Sequence, residues 1–451
     1  MQINELKAIA KEYGVVGAGG AGFPTYAKMT DQADTVILNC VECEPLLKLH
    51  RQLLATHTEE ILQMLEEVRR AFGAKEAVIG IKSEYTATIQ ALEEVLREYP
   101  NIRICSLKAS YPMGDEVVLI YEATGRVIKP GGLPIDEQVV VYNVETMYNL
   151  YRAVHHKQPV TEKLVSVVGE VEHPSTLFVS LGTTVKQAVL AAGKITTANP
   201  VYLMGGPMMG KLGRENTLIT KTTNAIIVLP GEHDLARRME KNLDIERRRA
   251  SSVCCQCRAC TDLCSRHMLG HPIEPHLVMR AVGKYDLSDL KIYMNTAYCS
   301  GCGICENYAC PQGLSPRSII QQFKGGLKQA GVKVERLEPS PVEWDRELKK
   351  LPVHRLAKRL GLARYDVDAP FREETVQVNE VKIPLSQHIG APALPVVSVG
   401  EWVKKGQLIG EPTEGLSVGI HASIDGVVDK VNEREIVIKV KTDERAAGAA
   451  E

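Results

Sequence analysis

The sequence predicts a multidomain protein of mixed α/β and α+β class, and three observations carry that prediction. Over residues 1–160, short apolar runs alternate with amphipathic helical stretches, the pattern of a parallel sheet covered by helices. Over 161–232, and again over 376–441, the texture changes to short strands broken by glycine turns. Between them, nine of the twelve cysteines fall within residues 254–310, eight of them in two regular runs. At 451 residues the chain exceeds one ordinary core, so three or four domains are expected.

Composition narrows the function classes. With 24% charged residues and a formal net charge of −1, nothing attracts the chain to nucleic acid. An aromatic content of 5% also argues against a base-stacking surface. No apolar run approaches the ~20 residues of a membrane span, and the opening MQINELKAIAKEY is charged, without a signal-peptide core. These features predict a cytoplasmic chain with no transmembrane segment. In that setting thiols stay reduced, and cysteine runs read as metal sites rather than disulfides.

In chain order, Leu6, Ile9 and Ala10 mark a helix over 4–13 with Asn4 as N-cap. A loop follows with five glycines in nine residues, Gly14 to Gly22. Gly17, Gly19 and Gly22 match G-x-G-x-x-G, but a dinucleotide fingerprint follows a strand, whereas this loop follows a helix. A flexible turn is the competing reading, although such a loop lets backbone N–H groups approach a phosphate or a flat ring. Thr35–Cys40 reads as a buried strand ending in Asn39-Cys-Val-Glu42-Cys-Glu44-Pro45, and strand carboxyl ends are where open α/β sheets bind ligands. A helix over 58–72 follows, with Thr56-x-x-Glu59 as capping box and Gly73 as its stop. Next come a strand (77–81), a helix (84–97) and a strand (102–107). The segments Tyr111-Pro-Met-Gly114-Asp115-Glu116 and Tyr142-Asn143-Val-Glu145-Thr146 each open a helix, where acids also serve simply as dipole complements.

Strands over 164–171, 177–179, 200–204 and 225–229, with a helix over 185–192, predict a small α+β module of β-grasp type. Its Gly205-Gly206-Pro207-Met208-Met209-Gly210 loop reads as a tight turn, with a docking surface as the alternative. A charged helix, 234–250, leads into the cysteines.

Those cysteines form two runs, Cys254-x-x-Cys257-x-x-Cys260-x-x-x-Cys264 and Cys299-x-x-Cys302-x-x-Cys305-x-x-x-x-Cys310-Pro311. This is the spacing of two cubane iron–sulfur clusters, in which the fourth cysteine of each run reaches across to the other cluster. The expected sets are Cys254, Cys257, Cys260 with Cys310, and Cys299, Cys302, Cys305 with Cys264. Structural zinc is the alternative, but zinc usually takes two pairs of ligands, not triplets at i, i+3 and i+6. Ser265 in place of proline, and a last gap one residue longer than usual, leave the two crossing ligands the less regular ones. Cys255 is out of register. His267, His271 and His276 lie between the runs, but eight thiolates already complete two clusters.

Residues 331–375, rich in charge and proline, read as a helical linker, and 442–451 as a disordered tail. The stretch Val396 to Gly410, followed by Ile420 to Val428, resembles a biotinyl or lipoyl barrel-sandwich domain. At the hairpin where a carrier lysine would stand, the sequence reads Ala422-Ser-Ile-Asp425-Gly426, so a docking module without carrier chemistry is expected.

The glycine loop, the Asn39–Pro45 segment, the Tyr111–Glu116 segment and Asn143-Val-Glu-Thr146 occur in the same order in the flavin subunit of respiratory complex I. With the cysteine runs and the barrel added, the whole chain resembles the C subunit of Rnf electron-transport complexes, and more closely the cobalamin reductases of propanediol-utilisation microcompartments. In the Rnf subunit the barrel precedes the flavin domain, whereas here it follows the clusters. The resemblance implies a Rossmann-like FMN/NADH domain (1–160), an SLBB-like β-grasp module (161–232), a double 4Fe-4S ferredoxin-like domain (233–330) and a barrel-sandwich hybrid (376–441).

Carried over motif by motif, it implies that Gly17, Gly19, Gly20, Gly22 and Lys28 line FMN and its phosphate. Asn39, Glu42 and Asn143 would hydrogen-bond the ring or ribityl chain, and Glu44 and Glu116 would orient the nicotinamide and ribose of NADH. Asp115 stands where complex I has a first glutamate. The implied acceptor is cobalamin, and the implied partners are a B12-related enzyme (adenosyltransferase or diol dehydratase machinery) and microcompartment shell or cargo. An electron-transfer adaptor and a peripheral Rnf-type subunit are the alternative readings.

Overall fold

Residues 1–440 are described in a computed structural model of the protein; the expected disordered tail lies outside them. Leu6 and Ala10 anchor the first helix, α1 (Ile3–Glu12), whose N-cap is Gln2 rather than the expected Asn4. The glycine loop leads to a single turn, α2 (Thr25–Lys28), and then to β1 (Thr35–Cys40). There follow α3 (Leu49–Thr56), α4 (Thr58–Phe72), β2 (Glu76–Lys82), α5 (Thr86–Leu96), β3 (Ile102–Leu107), the two-residue β4 (Ser110–Tyr111), α6 (Glu116–Thr124), β5 (Val139–Asn143) and α7 (Val144–His155). The capping box expected before α4 is not made, because the Thr56 hydroxyl donates to Gln52 O within α3. Gly73 does end α4, in the left-handed conformation (φ +69°) that glycine adopts without a Cβ penalty.

β1, β2, β3 and β5 form a parallel sheet in the order β3-β2-β1-β5. Val36, Leu38 and Cys40 face a core containing Leu62 and Met147, while Ile37 faces another containing Val118 and Leu119. A strand buried on both faces requires an unbroken apolar run, which is what residues 35–38 supply. The chain builds outward from β1 to β3, then returns to lay β5 on the other side of β1. The carboxyl ends of β1 and β5 thus form a topological switch point, the ligand-binding crevice of open α/β sheets.

The middle of the chain contributes β6 (Glu162–Gly169), β7 (Ser175–Ser180), α8 (Val185–Leu190), β8 (Pro200–Met204), β9 (Lys211–Gly213) and β10 (Ala225–Pro230). Residues 331–375 are not the helical linker expected. They hold the short helix Val353–Arg359 and two strands, β11 (Leu351–Pro352), antiparallel to β4, and β12 (Phe371–Val376), parallel to β7. β12 covers an edge of the middle sheet, which runs β12-β7-β6-β10-β8-β9, so unpaired backbone groups of β7 are satisfied by a distant segment.

The cysteine region is helical. Leu243–Val253, Pro275–Lys284 and Pro316–Gln329 pack around Val278, Met279, Leu314, Ile319 and Ile320. The C-terminal strands form two facing sheets, of four and three strands, over Val381, Ile383, Ile409, Ile420, Val428 and Ile438.

Candidate functional site: a flavin crevice beside two thiol clusters

Parallel register sets Asn39 of β1 directly beside Asn143 of β5 at the switch point. Asn39 Nδ2 donates to Gly114 O (3.0 Å) and its Oδ1 accepts from Val41 N, which holds the Tyr111–Glu116 segment over the end of β1. Asn143 Oδ1 caps α7 by accepting from Glu145 N (2.9 Å), while its Nδ2 lies 3.3 Å from His50 Nδ1. Thr146, one turn into α7, accepts from Ala18 N (2.9 Å) and fastens the glycine loop to the same edge. Lys28 Nζ donates to Glu116 Oε2 (3.1 Å), each side chain being about one-third exposed. Four segments far apart in sequence therefore converge on one crevice.

The glycine loop is closed by Gly17 N donating to Phe23 O and Gly22 N to Gly19 O, with Gly20 and Gly22 at positive φ. Among the described residues, the N–H groups of Gly19, Gly20 and Ala21 find no partner, and the buried Thr25 hydroxyl has none.

The acids diverge. Glu42 is buried and accepts from His50 N (2.8 Å) and Arg51 N (3.2 Å), capping the first turn of α3 rather than facing an open crevice. Glu44 accepts from Met208 N (2.8 Å) and Met209 N (3.1 Å) of the middle module's Gly205–Gly210 loop. A Cβ on Gly206 would stand 2.3 Å from Glu44 Cδ, so only glycine allows this approach. That loop, first read as a tight turn, is an intramolecular docking surface. Burial pushes Glu44 up to about 7, against the pull of the two backbone donors. Glu145, beyond complementing its helix, pairs with the fully buried Lys163 and accepts from Leu164 N (3.1 Å), joining α7 to β6.

Three contacts hold the cysteine region against this crevice. Asp115 caps α6 and accepts from Arg266 Nη2 at 2.8 and 3.0 Å. The Tyr111 hydroxyl donates to Cys302 O (2.6 Å), and Arg317 Nη1 donates to Met208 O (2.5 Å).

The eight thiols fall into two groups. One surface concavity gathers Cys254, Cys257, Cys260 and Cys310. Cys299 and Cys302 lie close enough to Cys264 and Cys305 for their charges to raise both of those thiols. The fourth cysteine of each run thus sits with the other run. N–H donors point at the sulfurs: Gln256 Nε2 at Cys254 (3.2 Å), Gly301 N at Cys299 (3.3 Å) and Leu314 N at Cys310 (3.4 Å). Cys255 is exposed. His271 bonds Ile128 O and His276 bonds the Thr261 hydroxyl, so both have partners other than sulfur.

Known families match at three places: the Nuo51 FMN-binding domain over 10–152, a 4Fe-4S dicluster domain over 253–315 and the RnfC barrel sandwich hybrid domain over 371–445. Over 430 residues, 94% of both chains, the sequence is 40% identical to the cobalamin reductase PduS of Citrobacter freundii. Over 440 residues, 97% of both, it is 39% identical to the cobalamin reductase PduS of Salmonella typhimurium. The chain belongs to the PduS cobalamin reductase family. Two solved chains of an NAD+-reducing [NiFe]-hydrogenase share 20% identity over 79% of this chain and 67% of theirs, with TM-scores of 0.48 and 0.49, an overlap too loose to add to that assignment.

As a PduS-family protein the chain is an oxidoreductase with an FMN-binding domain, a 4Fe-4S dicluster domain and a barrel-sandwich hybrid, and its residues fit those groups. Three free amides on the glycine loop and the buried, unpartnered Thr25 hydroxyl at the start of α2 suit a phosphate or flavin edge. Burial pushes Cys260 and Cys264 up to about 12 and Cys302 to about 11, so thiolates there need the positive charge of the iron they ligate.

Several participants escaped the sequence reading. Arg266, Arg317 and Lys163 are isolated basic residues that look like surface in one dimension; the partners of Arg266 and Arg317 lie more than 100 positions away, and that of Lys163 lies across a domain junction. The Gly-Gly-Pro-Met-Met-Gly loop did stand out, but nothing local pairs it with Glu44, 164 positions away.

Proposed function

We propose that this chain is an NADH-dependent flavin/iron–sulfur reductase that delivers electrons from NADH, via FMN and two 4Fe-4S clusters, to cobalamin. The observation that carries this reading is the crevice at the β1/β5 switch point, tied through Tyr111 directly to the backbone of Cys302. Bound FMN would take a hydride from a nicotinamide and release electrons singly, and the clusters would carry them one at a time.

The chain's own residues supply position and environment. The amides of Gly19 and Gly20, with Gly17 and Gly22 shaping the turn, receive the flavin phosphate or ring edge, and Lys28 offsets anionic charge. Asn39 and Asn143 frame the ring or ribityl chain, while Glu42 supports Asn143 indirectly through α3 and His50. Glu44 and Glu116 flank the nicotinamide side. Cys254, Cys257, Cys260 and Cys310 hold one cluster, and Cys299, Cys302, Cys305 and Cys264 the other. Tyr111 and the Asp115–Arg266 pair keep the second group against the flavin domain.

A β-grasp, SLBB-like reading of the middle module is supported by its sheet, where the parallel pair β6 and β10 is central and the antiparallel strands β7 and β8 flank it. The cobalamin reductase relatives support a working place beside B12-related machinery; the reading extends to adenosyltransferase or diol dehydratase machinery as the partner and to a bacterial microcompartment as the location. Among the described residues, no helix is long and apolar enough to cross a membrane.

The test is anaerobic. Purified protein should release FMN on denaturation, bleach with NADH, and then reduce cob(III)alamin or cob(II)alamin. Bleaching without reduction of either corrinoid would remove the cobalamin assignment. Intact clusters with no flavin and no bleaching would point to an electron-transfer adaptor instead.

A further inference from the structure

The C-terminal barrel has no carrier lysine, and the family match alone gives it no task. Its position suggests one. It touches the glycine loop at both ends and at the apex. At the start, Lys221 of the middle module, fully buried, donates from Nζ to Gly14 O (2.7 Å) and to Gly419 O of the barrel (3.1 Å), bridging the two backbones. There Gly419 N also donates to Lys11 O (3.0 Å), and a Cβ on Gly14 would stand 2.4 Å from Gly419 O. At the apex, Ile389 N donates to Ala21 O (2.9 Å). Beyond the loop's exit, the Tyr26 hydroxyl donates to Gly415 O (2.9 Å) and accepts from Ser417 N (3.3 Å). Gly22 is hemmed in as well, since a Cβ there would meet Thr222 Cγ2 of the middle module at 2.7 Å and His388 of the barrel at 3.3 Å.

The turn that carries the chain from one barrel sheet to the other, between Ile420–His421 and Gly426–Val431, is itself docked. The Ser423 hydroxyl, completely buried, donates to Leu181 O (2.6 Å), which keeps this end of the barrel against its own chain. A loop with five glycines in nine residues has more conformational freedom to lose than an ordinary sequence of its length, so it holds one shape only if its surroundings impose that shape.

We propose that the C-terminal barrel is an intramolecular clamp that holds the glycine loop in its ligand-receiving shape, with Lys221 as the positioning residue that joins loop and barrel. Lys221 lies behind the loop, bonded to its first carbonyl, and acts on a bound flavin only through the loop. The consequence for flavin rests on the assignment of FMN to this loop; the clamp itself does not.

Lys221→Met keeps the length of the side chain and removes the ammonium. In the full-length protein, hydrogen exchange of residues 14–24 should quicken at least tenfold, and the Kd for FMN, read by flavin fluorescence on reconstitution, should rise at least tenfold, with iron content unchanged. Faster exchange with unchanged FMN affinity would support the clamp and overturn the flavin assignment. Unchanged exchange would overturn the clamp. If Lys221→Met fails to fold, Tyr26→Phe takes its place; it removes a single hydroxyl at the loop's exit, and exchange of 14–24 should quicken severalfold. Wild-type exchange in that variant would overturn the clamp.

Discussion

Glu44 should make the stability of this protein fall as pH rises, and Glu44→Gln should abolish that dependence. Burial raises the carboxyl from its ordinary 4.5 to about 7 in the fold, so the folded state holds its proton more tightly than the unfolded chain does. Stability contributed by the protonated form is therefore intact below about pH 4.5 and lost progressively until the carboxyl is fully ionised above about pH 7. A rise of that size corresponds to about 3 kcal/mol, and because the residue keeps some solvent contact this is a ceiling. Between pH 5 and pH 8 the wild type should lose roughly 2–3 kcal/mol through this group. Glutamine keeps one acceptor for Met208 or Met209 and turns a donor toward the other amide, a cost of about 1–3 kcal/mol that does not change with pH. The assay is anaerobic thermal denaturation of both holoproteins at pH 5 and pH 8. The melting temperature of wild type relative to variant should drop by roughly 5–10 °C between the two, at about 2–4 °C per kcal/mol for units of this size. A difference that is flat with pH, or that grows in favour of wild type, would refute the reasoning.

Lys163→Met should destabilise the protein by about 3–5 kcal/mol in denaturant titration, because it strands Glu145 as a buried, unpaired charge; adding Glu145→Gln should recover much of that loss. Glu116→Ala should leave the melting temperature almost unchanged, since a part-exposed pair with Lys28 contributes at most about 1 kcal/mol. The same substitution should raise the KM for NADH about tenfold, the loss of one charge-assisted hydrogen bond, with iron and flavin content intact. Cys310→Ser should reproduce the paramagnetic spectrum of Cys257→Ser, and Cys264→Ser that of Cys302→Ser; the opposite matching would mean that each run ligates its own cluster.

Local pattern was enough for features whose cause is local. The parallel sheet of the first domain is readable because each strand must be an apolar run and each covering helix a 3.6-residue stripe, and the structure places β1 and β3 at the residues so predicted. The two thiol groups follow from the i, i+3, i+6 spacing, since a short loop can wrap three thiolates around one body. The missed capping before α4 shows where local rules compete: α3 ends so close that Thr56 bonds backward to Gln52.

What no local pattern carries is the pairing of distant polar groups, because such pairs depend on which surfaces the assembled modules bring together. Glu44 and Glu42 stand two residues apart in one motif, yet one seats the Met208 loop and the other caps α3. Residues 331–375 look like a linker because β11 and β12 have no hairpin partner nearby, and their hydrogen bonds go to β4 and β7. The sequence by itself determined the kind of protein, through spacings and periods that any chain must satisfy to form those elements. Only the tertiary structure decided how the crevice is closed. The Met208 loop, Arg266 and Lys221 each reach a partner more than 100 positions away, and such long-range contacts exist only once the separate cores have packed.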